Sequence, residues 1–176
     1  MSNSDVRVAR VRARAVVVFG VSGSGKSTVA AALAERCVFD YCDADDLHPA
    51  ANIYKMGAGH PLNDEDRWPW LDTVGRRLSD ALNDDRGIVV ACSALKRGYR
   101  DLLRTHEPTT FFVFLDGTQN LIMPRVLARH QGFMPPSLLA SQFDALDSLQ
   151  SDEAGVRIDV SQELVDTVDE AMVALQ

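Results

Sequence analysis

The sequence predicts an α/β fold, a five-stranded parallel sheet flanked by helices. Three observations predict it. Short apolar runs alternate with helical patterns, the signature of strands joined by helical crossovers. A glycine-rich phosphate-loop motif follows the first run and opens the first helical pattern. The chemically loaded residues stand just after the runs, where parallel sheets bind their ligands.

The runs Ala15–Gly20, Val38–Cys42, Ile88–Cys92 and Phe111–Asp116 have the length and apolar character of buried parallel strands, and Val156–Val160 is a weaker fifth. Lys26–Arg36 is alanine-rich and free of Pro and Gly, a helix pattern. Glu65–Leu82 follows Asn63 and Asp64, both competent N-caps, and puts Leu71, Val74, Leu78 and Leu82 on one face. Asn52, Lys55 and Met56 have helical spacing, and Gly57–Arg67 reads as a mobile loop. Further helices are expected at Arg97–Thr105, Thr118–Arg129, Pro136–Leu149 and Gln162–Leu175. The chain divides into a flexible extension over 1–14 and one domain over 15–176, with a lid at about 125–140. In the extension, Arg7, Arg10, Arg12 and Arg14 stand among small and apolar residues.

The 176 residues suit one domain with its own core. With 18 Lys and Arg against 25 Asp and Glu, the net charge is −7. Such a chain has little general attraction for nucleic acid or anionic membrane, so an anion must be held by a local site. No apolar run is long enough to span a membrane. Cys37, Cys42 and Cys92 have neither metal spacing nor a disulfide framework, which reads as cytoplasmic.

Gly20-Val21-Ser22-Gly23-Ser24-Gly25-Lys26-Ser27, with Thr28 following, fits the phosphate-loop pattern. Its glycines let backbone N–H groups turn toward phosphate oxygens, and the next helix offers its N-terminus to the same anion. Lys26 reaches the β- and γ-phosphates of a nucleotide, and the Ser27 hydroxyl ligates Mg²⁺. After the second run, Asp43 and Asp45 can serve different partners, one Mg²⁺ or its water and the other a substrate hydroxyl. Asp46 reads as a turn or cap residue.

The segment Ser93–Arg104 is strongly basic and enters a helix, with Lys96 and Arg100 on one face. Its first residues are candidates for anion binding. Lys55 is another cation for an acidic substrate, or a solvated one. Arg125 and Arg129, one helical turn apart, precede the proline-bounded segment His130–Pro136. A lid that brings arginines to a phosphoryl group has this pattern.

Together these residues resemble the gluconokinase family of phosphate-loop sugar-acid kinases. The resemblance rests on the motif at 20–28, Asp-Ala-Asp-Asp-Leu-His-Pro at 43–49, and Asn52 with Lys55-Met56. It extends through Pro-Leu-Asn-Asp-Glu-Asp-Arg-Trp-Pro-Trp-Leu at 61–71, Cys-Ser-Ala-Leu-Lys-Arg at 92–97, Tyr-Arg-Asp-Leu-Leu-Arg at 99–104, and Ser141-Gln142-Phe143. It implies a P-loop kinase fold with a mobile lid, like shikimate and nucleoside monophosphate kinases. It also implies ATP and Mg²⁺ as cofactors, transfer to the 6-hydroxyl of D-gluconate, and a homodimer.

On this reading Lys26, Asp45 and Arg129 are catalytic. The loop residues 20–28 and Arg125 bind nucleotide, and Ser27 and Asp43 hold the metal. Asp45, His48, Lys55, Arg67, Ser93, Lys96 and Arg100 bind substrate. The roles of Asp43 and Asp45 are interchangeable at this level. The family's lid carries Gly-His before an aromatic-Met pair, whereas here Gln131-Gly132 precede Phe133-Met134 and the histidine is His130. The alternatives are a kinase for another small polyol acid, such as shikimate, or a nucleotide-binding regulator without turnover.

Overall fold

Strand β1 (Ala15–Phe19) is buried along its whole length, because side chains on both of its faces meet helices. Val16 and Val18 pack into one core cluster, and Ala15, Val17 and Phe19 into a second across the sheet. This computed structural model describes residues 11–128 and 138–176.

The other strands are β2 (Asp40–Asp43), β3 (Ile88–Ala91), β4 (Phe111–Asp116) and β5 (Gly155–Asp159). They form one parallel five-stranded sheet in the order β2-β3-β1-β4-β5. The helices are α1 (Lys26–Cys37), α2 (Ala50–Gly57), α3 (Asp64–Asn83), α4 (Arg97–His106), α5 (Gln119–Leu127), α6 (Leu139–Ala145) and α7 (Leu164–Ala174). Residues of α1, α5 and α7 line one core cluster, and residues of α3 and α4 the other. Among the described residues, no helix is long and apolar enough to cross a membrane.

The predicted elements are present, with instructive differences at their ends. The second strand begins at Asp40 rather than Val38, because Val38 terminates α1 in the left-handed conformation with φ 57°. Its N–H bonds back to the helix carbonyls and its side chain is 86% exposed. A β-branched residue pays for this conformation in strain that glycine avoids. Val38→Gly is therefore expected to raise stability by about 0.5–1 kcal/mol, read as a higher urea midpoint. An unchanged or lower midpoint would contradict the strain.

Helix α3 starts at Asp64 under a capping box, in which Asn63 accepts from the Asp66 N–H and Asp66 from the Asn63 N–H. The expected loop over 57–67 is thus confined to 58–63. Helix α6 stops at Ala145 instead of running to Leu149. Backbone groups beyond it pair elsewhere: Asp147 N–H with the Leu95 carbonyl, and the Asp147 and Ser148 carbonyls with Arg100. Residues 136 and 137 of the predicted helix lie outside the described residues, as do 129–135 of the predicted lid. Of the supposedly loose extension, residues 12–14 are tied down. Arg12 and Ala13 donate to the Leu175 carbonyl, the Arg14 carbonyl accepts from Ile88, and Arg14 pairs with Asp85 at 2.7 Å.

Candidate active site

The carboxyl end of β1 turns straight into the phosphate loop. A Cβ on Gly20 would meet the Leu115 carbonyl at 2.7 Å, so the loop leaves the sheet only through glycine. Gly25 caps α1 at φ 94°, and no side chain among the described residues caps that helix. The first-turn N–H groups of a helix that starts this way point toward an anion placed beyond its N-terminus. Val21 and Ser24 are buried under the loop, so they contribute backbone rather than side chain to the cradle. Lys26 folds back across the loop, its Nζ donating to the Val21 carbonyl at 3.0 Å.

At the neighbouring strand end, Asp43 Oδ2 accepts from the Ser27 hydroxyl at 2.8 Å, and Oδ1 accepts from the Asp45 N–H at 3.1 Å. The sequence-predicted pair for the metal is thereby brought together. A hydroxyl and a carboxylate side by side near phosphates are the hard oxygen donors Mg²⁺ uses, so these residues fit the ion. The Asp43 cap also fixes the 3₁₀ turn Ala44–Leu47, which presents Asp45. Asp45 is open to solvent, yet the protein around it strips part of its hydration. That desolvation, then the charge of Asp43, holds its pKa above the ordinary carboxylate value, against the opposing charges of Lys26 and Arg67. Asp45 thus feels the nucleotide-side cation and a second cation on α3.

Arg67 belongs to the wall of a cavity of about 570 Å³, with Leu62, Asp64, Lys96, Tyr99 and Gln142. Its Nε donates weakly to the Leu62 carbonyl at 3.4 Å, and its guanidinium lies 5.9 Å from the Tyr99 ring. Lys96 is differently placed: Asp64 accepts from it at 2.7 and 2.9 Å and from the Tyr99 hydroxyl at 2.5 Å. Hydrogen bonds from Lys96 and then Tyr99 hold the Asp64 carboxyl below its usual range. The charge of Lys96 is therefore already matched, while Arg67 is the less committed cation. Asp64, Tyr99 and Gln142 were missed as site residues. All three stand in the family-like motifs, but only their spatial convergence marks them as cavity wall.

His48 is buried and stacked on Trp70 at 4.1 Å, and it shares a 3.2 Å hydrogen bond with Asn52. Burial, then the nearby Arg67 charge, lowers its pKa to about 4. Its ring is therefore neutral near pH 7, not a cation. The unfolded chain binds this proton near pH 6.5 and the native chain only near 4, so stability must fall as pH drops between these values. His48→Gln is expected to lose less stability than the parent between pH 7 and pH 4.5 in urea melts. Equal losses would show that another group carries the effect. Ser93 is half-buried just beyond β3, beside Ala94.

One predicted substrate contact is corrected, and a second is engaged elsewhere. Arg100 is completely buried. It makes a two-pronged ion pair with Glu153 at 2.6 and 2.9 Å and donates to the carbonyls of Ala94, Leu95, Asp147 and Ser148. It has no face for substrate. Its work is to hold the turn after β3, where Ala94 sits at φ 35°. Lys55 is committed to Asp66 at 2.5 Å and does not line the cavity. It clamps α2 to the start of α3. Arg125 donates to the Val160 carbonyl at 2.9 Å, just beyond β5, and is not among the residues that line the large cavity. Arg129 lies outside the described residues.

Over residues 16–131 the chain matches the AAA domain family, and its sheet order, loop and strand-end carboxylates place it among the P-loop kinases. Thermosensitive gluconokinase of Escherichia coli is 42% identical, with 90% of this chain and 86% of that protein covered. The crystal structure of a gluconokinase from Sinorhizobium meliloti superposes with a TM-score of 0.85 at 45% identity, covering 94% and 93% of the two chains. An unliganded sugar kinase from a Janibacter species gives a TM-score of 0.88 at 41% identity, covering 92% and 94%. The chain belongs to the gluconokinase family.

Proposed function

We propose that this protein transfers the γ-phosphoryl group of ATP to the 6-hydroxyl of D-gluconate, with Mg²⁺, giving 6-phosphogluconate and ADP. The observation that carries this reading is the position of Asp45. It stands under the influence of both Lys26, the phosphate-loop cation, and Arg67, a wall of the acceptor cavity. A hydroxyl held there lies between nucleotide and cavity.

The triphosphate sits on the loop N–H groups, and Lys26 exchanges its contact with the Val21 carbonyl for phosphoryl oxygens. Ser27 and Asp43 would hold the Mg²⁺, which would supply positive charge against that of the phosphates. Asp45 orients the 6-hydroxyl and takes its proton as the bond from that oxygen to the γ-phosphorus forms and the bond to the β-bridging oxygen breaks. Arg129 is assigned to the transferring phosphoryl group by its sequence position.

Gluconate carries a single carboxylate on a flexible polyol. Arg67 takes it, since Lys96 is already matched by Asp64. His48, Ser93 and the Lys96–Asp64–Tyr99 group serve hydroxyls. A cytoplasmic homodimer completes the proposal, in keeping with the free cysteines Cys37, Cys42 and Cys92.

The test is a coupled assay for ADP with ATP, Mg²⁺ and a panel of D-gluconate, shikimate, other sugar acids and neutral sugars. Mg²⁺-dependent turnover on gluconate is expected. Turnover confined to another acceptor, or none at all, overturns the substrate assignment.

A further inference from the structure

Gln142 stands where the nucleotide cradle and the acceptor cavity meet. It lies on α6 and is 7% exposed. Its Oε1 accepts the backbone N–H of Ser22, inside the phosphate loop, at 2.6 Å. The same side chain lines the large cavity beside Arg67 and Lys96, and a smaller one beside Met56 and His60. A buried amide is costly unless hydrogen-bonded, so this contact is a constraint on the loop and not a chance encounter.

What Gln142 holds is one end of a single peptide unit. The N–H of Ser22 and the carbonyl of Val21 belong to the same planar group. Val21 O accepts from Lys26 Nζ at 3.0 Å and from the Ser24 N–H at 3.2 Å. Rotation of this plane therefore moves the N–H away from Gln142 and the carbonyl away from Lys26 together. A side chain in the cavity wall is in this way mechanically joined, through one rigid amide, to the lysine that meets the triphosphate.

We propose that Gln142 is a positioning residue that sets Lys26 through the Val21–Ser22 peptide and so couples acceptor binding in the cavity to ATP binding on the loop. The inference rests on the assignment of the cavity to a sugar acid. A ligand that packs against Gln142 fixes its amide, the amide fixes the peptide plane, and Lys26, held on the Val21 carbonyl, exchanges onto phosphate from one fixed orientation. By reciprocity, ATP tightens acceptor binding by the same factor.

Three chains separate this from a purely structural role: the parent, Gln142→Met and Gln142→Glu. Methionine keeps the volume and removes the acceptor, whereas glutamate keeps an acceptor for the Ser22 N–H. Calorimetry measures the Kd of a non-hydrolysable ATP analogue with Mg²⁺, with and without saturating D-gluconate. In the parent, gluconate is expected to tighten the analogue by about 5-fold or more. Gln142→Met should bring that ratio to within about 2-fold of unity and lower kcat about 10-fold, with little change in the Kd measured without gluconate. Gln142→Glu should retain the ratio while weakening the analogue under both conditions, because its charge faces the triphosphate.

A parent with gluconate turnover but no coupling overturns the inference and leaves the proposed function intact. So does a Met variant that keeps both ratio and kcat, or a Glu variant that loses the ratio as fully as Met. A parent without gluconate turnover fails the proposed function itself, and the turnover assay reads that separately.

Discussion

Asp45→Asn is expected to lower kcat by about 10²–10⁴-fold, the range a positioned general base contributes. ATP affinity should stay level or tighten slightly, because the substitution removes a negative charge near Lys26 and the phosphates. Calorimetry with the non-hydrolysable analogue separates binding from chemistry. A variant with parental kcat would remove Asp45 from the mechanism. The pH profile adds an independent reading. Asp45 works as the carboxylate, and desolvation followed by Asp43 raises its pKa, so the acid limb of kcat/KM should lie above the ordinary aspartate range. Asp43→Asn removes one cause of that rise and should move the limb to lower pH, whatever it does to the plateau. A limb that stays in place would mean that it belongs to another group.

Arg100→Leu is expected to cost about 3–5 kcal/mol, because it leaves Glu153 charged and buried without its partner. That is a large part of the total stability of a typical domain. Chemical denaturation at neutral pH reads the loss directly. The double replacement Arg100→Leu with Glu153→Leu should recover much of it, since no uncompensated charge remains. The doubly replaced protein should still bind gluconate poorly. Without Arg100, the carbonyls of Ala94 and Leu95 lose its donation, the Leu95 carbonyl keeping the Asp147 N–H, and the turn that carries Lys96 loses much of its brace. Normal stability with a raised KM for gluconate is the expected signature. Parental stability in the single variant would mean that the pair carries none of this weight.

The phosphate loop and the strand-end carboxylates were legible because their signals are local. A glycine pattern after an apolar run, and two aspartates after another, need no knowledge of distant residues. Arg100 shows the limit. Its helical spacing from Lys96 suggested a shared binding face, but its fate is decided by Glu153, more than fifty positions along the chain, and by carbonyls near residue 147. Lys96 and Arg67 looked alike in the sequence, and Asp64 distinguishes them only in space. Val38 reads as the first residue of a strand by composition, whereas the closure of α1 claims it for a left-handed turn. Helix α6 was overextended because its apolar spacing runs on after the backbone has turned to meet Arg100. The resemblance supplied the substrate, which periodicity and charge alone left open.

Trp70 has an optical consequence. The chain holds two tryptophans. Trp68 is 39% exposed with its ring edge-on to Tyr99, whereas Trp70 is fully buried, stacked on His48, and donates its indole N–H to the Ala44 carbonyl at 2.7 Å. Ala44 lies between Asp43 and Asp45, the pair proposed to face the nucleotide, and Tyr99 lines the cavity proposed for the acceptor. The two emitters therefore watch different halves of the reaction, in different solvent environments. Stopped-flow fluorescence of Trp68→Phe and Trp70→Phe proteins would follow acceptor entry and movement of the carboxylate turn as separate signals, with no label attached.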